Sequence, residues 1–348
     1  MTMFANKKDK IVIEIGSGWT KVILGSCLGR KKKNGRVNDS IRIREVFSLE
    51  TPKLHRNEFD VIAEEEKHFQ PGFDKAELIR ELKEIMRTKR IKAEDVIITI
   101  SDKSVISREM ILPKVDQDKL KGIISFELQE FLPIDPKMYI IDFKIIEQIR
   151  VGEIEKYKLN VAALSKEEGQ LYHDLVHELG KEPFALDLTS NSISKLFDSD
   201  RSINGTVREI EKKTIAYIDI GYSNIKLHII EKGVLKFTRN IDGGMKPLQV
   251  DNSKIVESDH SIELIKKWIG SLEQMFKFYT SRETERKIDH VFLLGGGALI
   301  PNIDQHFSDN MGVSVEIIQE IENLELQKES FDCSVPVYLN AIASLIRR

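Results

Sequence analysis

The sequence predicts an α/β protein of two related halves, and three observations carry that prediction. Residues 12–24, VIEIGSGWTKVIL, align without a gap with residues 217–229, YIDIGYSNIKLHI. Glu14 falls on Asp219, Ile15 on Ile220, Gly16 on Gly221 and Lys21 on Lys226. One motif therefore opens each half, recurring at about half the chain length rather than at a short solenoid period. Apolar strand-like runs alternate with stretches of helical periodicity, the pattern of layered α/β folds. The 348 residues also exceed the roughly 250–300 at which a single hydrophobic core stops growing.

Taken in order, 11–15 and 20–26 read as two strands around the turn GSGWT, with a third near 41–49. DKAELIRELKEIMRTKR is a helix. Asp74 and Glu77 have capping-box spacing, and Leu78, Leu82, Ile85 and Met86 share one face. VIITISDKSVISREMIL reads as two strands around Ser101–Ser104. In DQDKLKGIISFELQEFLPID, Leu120, Ile123, Ile124, Leu128 and Phe131 form the inward face of a second helix, which Pro133 stops. MYIIDFKII and YKLNVAAL are strands. Ser165 and Glu168 are a second capping-box pair, opening a helix that ends near Gly180.

The polar segment 198–213, with Asn204-Gly205, marks a boundary between halves. Strands return at 214–220, 224–231 and 234–241. A long helix then covers about 259–280, with Leu264, Ile265, Trp268, Leu272, Met275, Phe276 and Tyr279 on its buried side. HVFLLGGGALIPNI is a buried strand, a glycine turn and a helix beginning near Pro301. The tail SVPVYLNAIASLIRR is helical, with Ser334 as N-cap and Pro336 near the first turn.

Composition excludes several classes. A net charge of −3 gives no basic excess of the kind nucleic-acid binders carry. Cys27 and Cys333 are isolated thiols without disulfide or metal-ligand spacing, which points to a reducing compartment. MTMFANKKDK lacks the apolar core of a signal peptide, and no run approaches the roughly 18 apolar residues of a membrane span. The expectation is a cytoplasmic protein. The basic run Arg30–Lys33 reads as a solvated hairpin tip, or else a contact for anionic lipid or an acidic partner. Glu64, Glu65 and Glu66 read as a solvated loop. His173 and His177 have the spacing to face one metal, but no third ligand or metalloprotease motif accompanies them, so they read as a surface pair.

Chemistry concentrates in the repeat. Two hairpins facing each other across a cleft can grip a polyphosphate from both sides. Glycine lets the backbone approach, and turn N–H groups and hydroxyls donate to oxygens. A carboxylate at a strand end can hold a metal-bound water or position a nucleophilic one. Gly295, Gly296 and Gly297 suit a flat ligand lying against the backbone, or else close strand–helix packing.

These three elements resemble the actin-like ATPase superfamily: its first phosphate motif at 14–21, its second at 219–226 and its adenosine motif at 292–300. The segment 96–146 is further similar to the extra subdomain of PilM-like type IV pilus assembly proteins, through Pro113, Leu120, Ile123 or Ile124, Glu127, Pro133 and Asp142. FTRNIDGG, with Arg239, Gly243 and Gly244, resembles the segment after the second phosphate motif in that family. The resemblance covers nearly the whole chain, with FtsA-like cell-division proteins as cousins. It implies an actin-like (ribonuclease H-like) two-domain α/β fold with an inserted small α/β subdomain. The first domain is expected at 10–91 and 163–205, with the helix 335–348 packing back on it. The insert is expected at 92–162 and the second domain at 213–334.

The resemblance implies a scaffold that binds ATP with weak or no hydrolysis. It also implies docking of the cytoplasmic tail of an inner-membrane PilN-like partner beside an assembly ATPase and a platform protein, with recruitment to the inner face of the cell membrane. Alternatives are an actin-like ATPase with genuine turnover and an FtsA-like filament protein. ATP contacts are implied for Gly16, Ser17, Gly18, Trp19, Thr20, Lys21, Gly221, Tyr222, Ser223, Asn224, Gly243, Gly295, Gly296, Gly297 and Ala298, with Glu14 and Asp219 flanking Mg²⁺. The chain departs from the family pattern at Glu14, usually Asp, at Trp19 in the turn, and at Ile225, usually Thr. The interval from Gly244 to Gly295 is also shorter than in relatives.

Overall fold

In the computed structural model, the residues described are 8–31, 37–54, 71–131, 135–197, 201–205, 212–248, 250–251, 254–255, 258–283, 285–327 and 334–347. Strands β1 (Lys10–Ile15), β2 (Trp19–Lys31) and β3 (Val37–Glu50) form an antiparallel meander. Helix α1 (Lys75–Thr88) leads to β4 (Asp95–Ile100), parallel to β1. Next come β5 (Ile106–Pro113), α2 (Gln117–Phe131), β6 (Tyr139–Val151) and β7 (Ile154–Ser165), a small unit with its own sheet in the order β5-β7-β6. Helix α3 (Lys166–Glu178), β8 (Glu182–Leu188) and α4 (Thr189–Phe197) return to the first half.

The second half repeats the meander with β9 (Thr214–Ile220), β10 (Asn224–Glu231) and β11 (Val234–Asp242). The two-residue strands β12 (Val250–Asp251) and β13 (Lys254–Ile255) pair with each other. Then follow α5 (Asp259–Thr280), β14 (His290–Leu294), α6 (Ile303–Met311), β15 (Val315–Ile317), β16 (Leu324–Leu326) and α7 (Val335–Ser344).

Period-two alternation explains the layers. The first sheet runs β16-β3-β2-β1-β4-β8 and the second β11-β10-β9-β14-β15. Ile11, Ile13 and Ile15 face outward to Leu78, Leu82, Leu175 and Val176 of α1 and α3. Val12, Ile23 and Ile97 face inward. There they join Tyr217, Ile230, Phe292 and Leu294 of the second sheet in one cluster, with α4 and α7 packed between the sheets. Ile218, Ile220, Leu227 and Ile229 face out to α5 and α6. Strands buried on both faces read as the continuous apolar runs seen in the sequence.

Several expectations are corrected. β4 hydrogen-bonds between β1 and β8, so residues 95–100 belong to the first sheet, and the insert's own sheet begins at Ile106 instead of near residue 92. A buried β-run cannot be told from a subdomain strand by its composition. β16 pairs in parallel with β3, so the chain recrosses to the first sheet before residue 334. α7 packs between both sheets rather than on the first alone. The two capping boxes are half-formed. Asp74 and Ser165 accept from the Glu77 and Glu168 N–H groups. The reciprocal carboxylates go elsewhere: Glu77 pairs with Arg80, and Glu168 accepts from Ser104 and Tyr172. A full box forms instead at Ser258 and Ser261 of α5. α6 begins at Ile303, because Asn302 takes a left-handed conformation. Cys333, Pro133, Lys32–Lys33 and Glu64–Glu66 lie outside the described residues, as do the side chains of Arg30, Lys31 and Phe131.

Candidate functional site

The inward faces change character at the strand ends. β1 carries Val12 and then Glu14 on its inner face, β4 Ile97 then Thr99, β8 Ala185 then Asp187, and β9 Tyr217 then Asp219. These are the carboxyl ends of parallel strands, where open α/β sheets gather ligand chemistry. The hairpin register sets Glu14 opposite Lys21 and Asp219 opposite Lys226, so the sequence repeat becomes a repeat of buried acid–lysine pairs.

Both acids meet one residue the sequence reading did not single out. Asn340 of α7 donates from Nδ2 to Glu14 Oε1 at 3.3 Å and to Asp219 Oδ2 at 2.9 Å. The available signal was the spacing of Asn340 and Ser344 in an otherwise apolar helix. The Ser344 hydroxyl lies 2.7 Å from both the Thr99 and the Ser192 hydroxyls, and it donates to the Asn340 carbonyl. Lys21 Nζ stands 3.2 Å from Glu14, and Lys226 Nζ is 4.0 Å from Asp219. Lys226 also donates to Thr189 Oγ1, which donates to Asp102 at 2.6 Å. Burial works against the Lys21 ammonium, but Glu14 and Asp219 outweigh it and hold its pKa above the ordinary lysine value. Burial likewise opposes the Asp219 carboxylate. Lys226, Lys21 and the Asn340 amide outweigh it and hold Asp219 below the usual range.

A second buried cluster adjoins the first. Asp187 accepts from Lys195 at 2.5 Å, from Arg347 at 2.8 Å and from the Asn191 amide at 2.7 Å. Burial lowers the Lys195 pKa, although Asp187 pulls it upward. Elsewhere, His173 and His177 bring their Nε2 atoms to 3.3 Å at the surface. Among the described residues, no group of three His, Cys, Asp or Glu could hold a metal.

The turns close alike. Gly16 N–H donates to the Trp19 carbonyl at 3.1 Å, and Gly221 N–H to Asn224 at 3.0 Å. Around them, however, the space is filled. A Cβ on Gly18 would stand 2.4 Å from Tyr222 Cγ, so one hairpin tip lies directly on the other's ring. Thr20 is buried and bonds Thr51 at 2.9 Å, while Ser17, Trp19 and Ser223 are exposed. Gly243, at φ 92°, precedes Gly244, where a Cβ would run into the Gly221 and Tyr222 carbonyl oxygens. The glycine run packs closely. A Cβ at Gly295 would lie 2.3 Å from Asp219 Oδ1, at Gly296 2.6 Å from Met245 Cε, and at Gly297 2.1 Å from Ile220 Cγ2. Ala298 is buried in the second core.

Mg²⁺ takes oxygen ligands at about 2.0–2.1 Å in near-octahedral geometry. Here the two carboxylates are already engaged by two lysines and Asn340, and of their oxygens Glu14 Oε2 is buried without a partner. As arranged, these residues do not fit ATP with Mg²⁺.

A second surface lies on the insert. α2 covers one face of its sheet through Leu120, Ile124 and Leu128 against Met110, Leu112, Leu159 and Val161. On the other face, Leu164 joins the first-half core and Ile140 abuts Gly169 of α3. Beyond that contact the face is open, with Ile111 51% exposed beside the Lys158–Glu109 pair. β5 and β6 are its edge strands.

Two sheets opened by the same hairpin, with polar strand ends converging on a central cleft, define an actin-like two-lobed α/β protein. The chain covers 97% of itself and 97% of the structure described as "PilM-PilN type IV pilus biogenesis complex", with TM-score 0.72 and 17% identity. More distant likenesses are the ethanolamine utilization protein EutJ from Carboxydothermus hydrogenoformans (TM-score 0.47, 10% identity, 97% and 89% covered) and MreB5 of Spiroplasma citri bound to ADP (TM-score 0.44, 11% identity, 97% and 95% covered). No curated protein matches the sequence. The family described as "Type IV pilus assembly protein PilM" matches residues 44–257 and 263–344, and the chain belongs to that family.

Proposed function

We propose that this chain is a cytoplasmic scaffold of type IV pilus assembly. It docks the short cytoplasmic tail of a PilN-like membrane protein along the seam between the insert and α3 and the open face of the insert that continues from it, and that tail recruits it to the inner face of the membrane. Among the described residues no helix is long and apolar enough to cross a membrane, which fits recruitment through a partner. The placement rests on the open face of the insert. Ile111 offers an apolar anchor, Lys158 and Glu109 offer charge, and the edges of β5 and β6 carry backbone groups that an extended peptide can pair. The assembly ATPase and platform protein are proposed as neighbours of the same complex.

Ordering a flexible tail offsets part of the contact energy, so micromolar binding is expected, about −8 kcal/mol. Titration of a fluorescent tail peptide into the full chain tests it. Ile111→Arg should weaken binding about tenfold or more, roughly 1.4 kcal/mol. Phe126→Ser, an exposed position on α2 across the insert, should leave it unchanged. Equal binding by both variants removes the seam as the docking site. Absence of binding by the unmodified chain removes the scaffold reading.

A further inference from the structure

We infer that the cleft between the hairpins is closed by the protein's own side chains, with the Tyr222 ring and the Asn340 amide standing where a nucleotide and its metal would sit, so that the lobes keep one orientation without ATP. This goes beyond the docking reading and does not depend on it.

The first support is steric. A phosphate gripped from two sides needs N–H···O bonds of about 2.9 Å on each side, which keeps facing turns apart. Here Gly18 lies against Tyr222 with no room for a methyl group. The Gly221 and Tyr222 carbonyls behind that ring accept from Met245 and Lys246 N–H groups at 3.0 and 2.8 Å, which fixes the second tip in place. Gly295 and Gly297 are spent on contact with β9, and Met245 covers Gly296.

The second support is electrostatic. A triphosphate needs uncompensated positive charge and free donors. The two inner lysines are matched by two acids: Lys21 by Glu14, Lys226 by Asp219. The Asn340 amide nitrogen then spans the two carboxylates, joining the first strand of each half through α7. A side-chain amide carries no charge, so it links the pairs without upsetting their balance. A scaffold clasped in this way presents its docking face constantly rather than in a nucleotide-dependent state.

Hydrogen–deuterium exchange on the full chain, with and without millimolar ATP and Mg²⁺, tests this. Exchange at 11–24 and 217–229 and the melting temperature should not respond to nucleotide. Asn340→Ala should speed exchange about tenfold in both hairpins at once, although they belong to different halves. Protection of either hairpin by ATP and Mg²⁺ overturns the inference. So does an Asn340→Ala effect confined to one hairpin. If Asn340→Ala does not fold, Tyr222→Ser at the half-buried tip decides. Faster exchange at residues 16–19 supports the closed cleft, and unchanged exchange there overturns it. Tail binding is read by its own titration, so either proposal can fail alone.

Discussion

The two hairpins are the same local structure put to different uses. Register, turn hydrogen bond and inward acid–lysine pair coincide. Their surroundings do not. Thr51 braces the first turn, its hydroxyl donating to the Gly16 carbonyl at 2.7 Å and its N–H to Gly18 at 2.9 Å. The loop after β11 braces the second through Met245 and Lys246. Lys21 answers Glu14 directly, whereas Lys226 stands farther from Asp219 and reaches Thr189. The position of Ile23 in the first hairpin is held by His228 in the second, and that of Gly18 by Ser223. Repeating a sequence repeats the backbone. The job of each side chain follows from what packs against it.

The largest expected effect separates the two acids. Asp219 serves Asn340 and lies in the field of both lysines, so Asp219→Ala should cost about 3–5 kcal/mol, the range for stranding a buried charge. Glu14→Ala should cost less, since Lys21 keeps Asp219 nearby. Urea denaturation of both variants gives the ranking, and an equal or reversed order would mean the pairs are equivalent after all.

A smaller effect tests the tip contact. Gly18→Ala places a methyl group into the Tyr222 ring and should cost about 1–3 kcal/mol, as overpacking does. In a Tyr222→Ser background that cost should largely vanish, giving a coupling energy in a double-mutant cycle. An unchanged cost would show that the tips do not touch in solution.

The smallest effect concerns pH. Burial holds the His228 pKa below 6.5, although Asp102 pulls it upward, and Lys226 and Asp219 also face the ring with opposing effects. The unfolded chain therefore takes the proton first. The stability tied to neutral His228 is complete above about pH 6.5 and declines as pH falls below it. His228→Ile, which copies Ile23, should flatten stability between pH 7.5 and 5, roughly the span over which an ordinary histidine titrates. Urea midpoints at the two pH values check this, and parallel slopes would clear His228. The contribution from Asp219 has the same sign in a lower window. Its depressed pKa makes it present above 3.8 and lost as pH falls further.

Local signals carried far into the fold. The gapless repeat located both hairpins, and the apolar face of α5 was legible down to Trp268 and Tyr279 because helical periodicity is a property of neighbouring residues. Legibility stopped where pairing is long-range. Nothing local told β4 to sit between β1 and β8, or sent β16 back to β3, since any buried strand offers the same backbone donors and acceptors. The glycine run was legible as a close approach but not as to what approaches, and the structure answers with Ile220 and Met245.

By itself the sequence determined the α/β class, the two related halves and the two hairpins with their matching acids and lysines, because each of these is written in spacing along the chain. Only the tertiary structure decided which side chain joins the two acids. Glu14 and Asp219 are more than two hundred residues apart, and Asn340 lies beyond both. Whether two buried carboxylates face a metal, a phosphate or an amide depends on which helix packs between the sheets. That packing is set by the sum of the apolar contacts around α7 rather than by any motif in the hairpins.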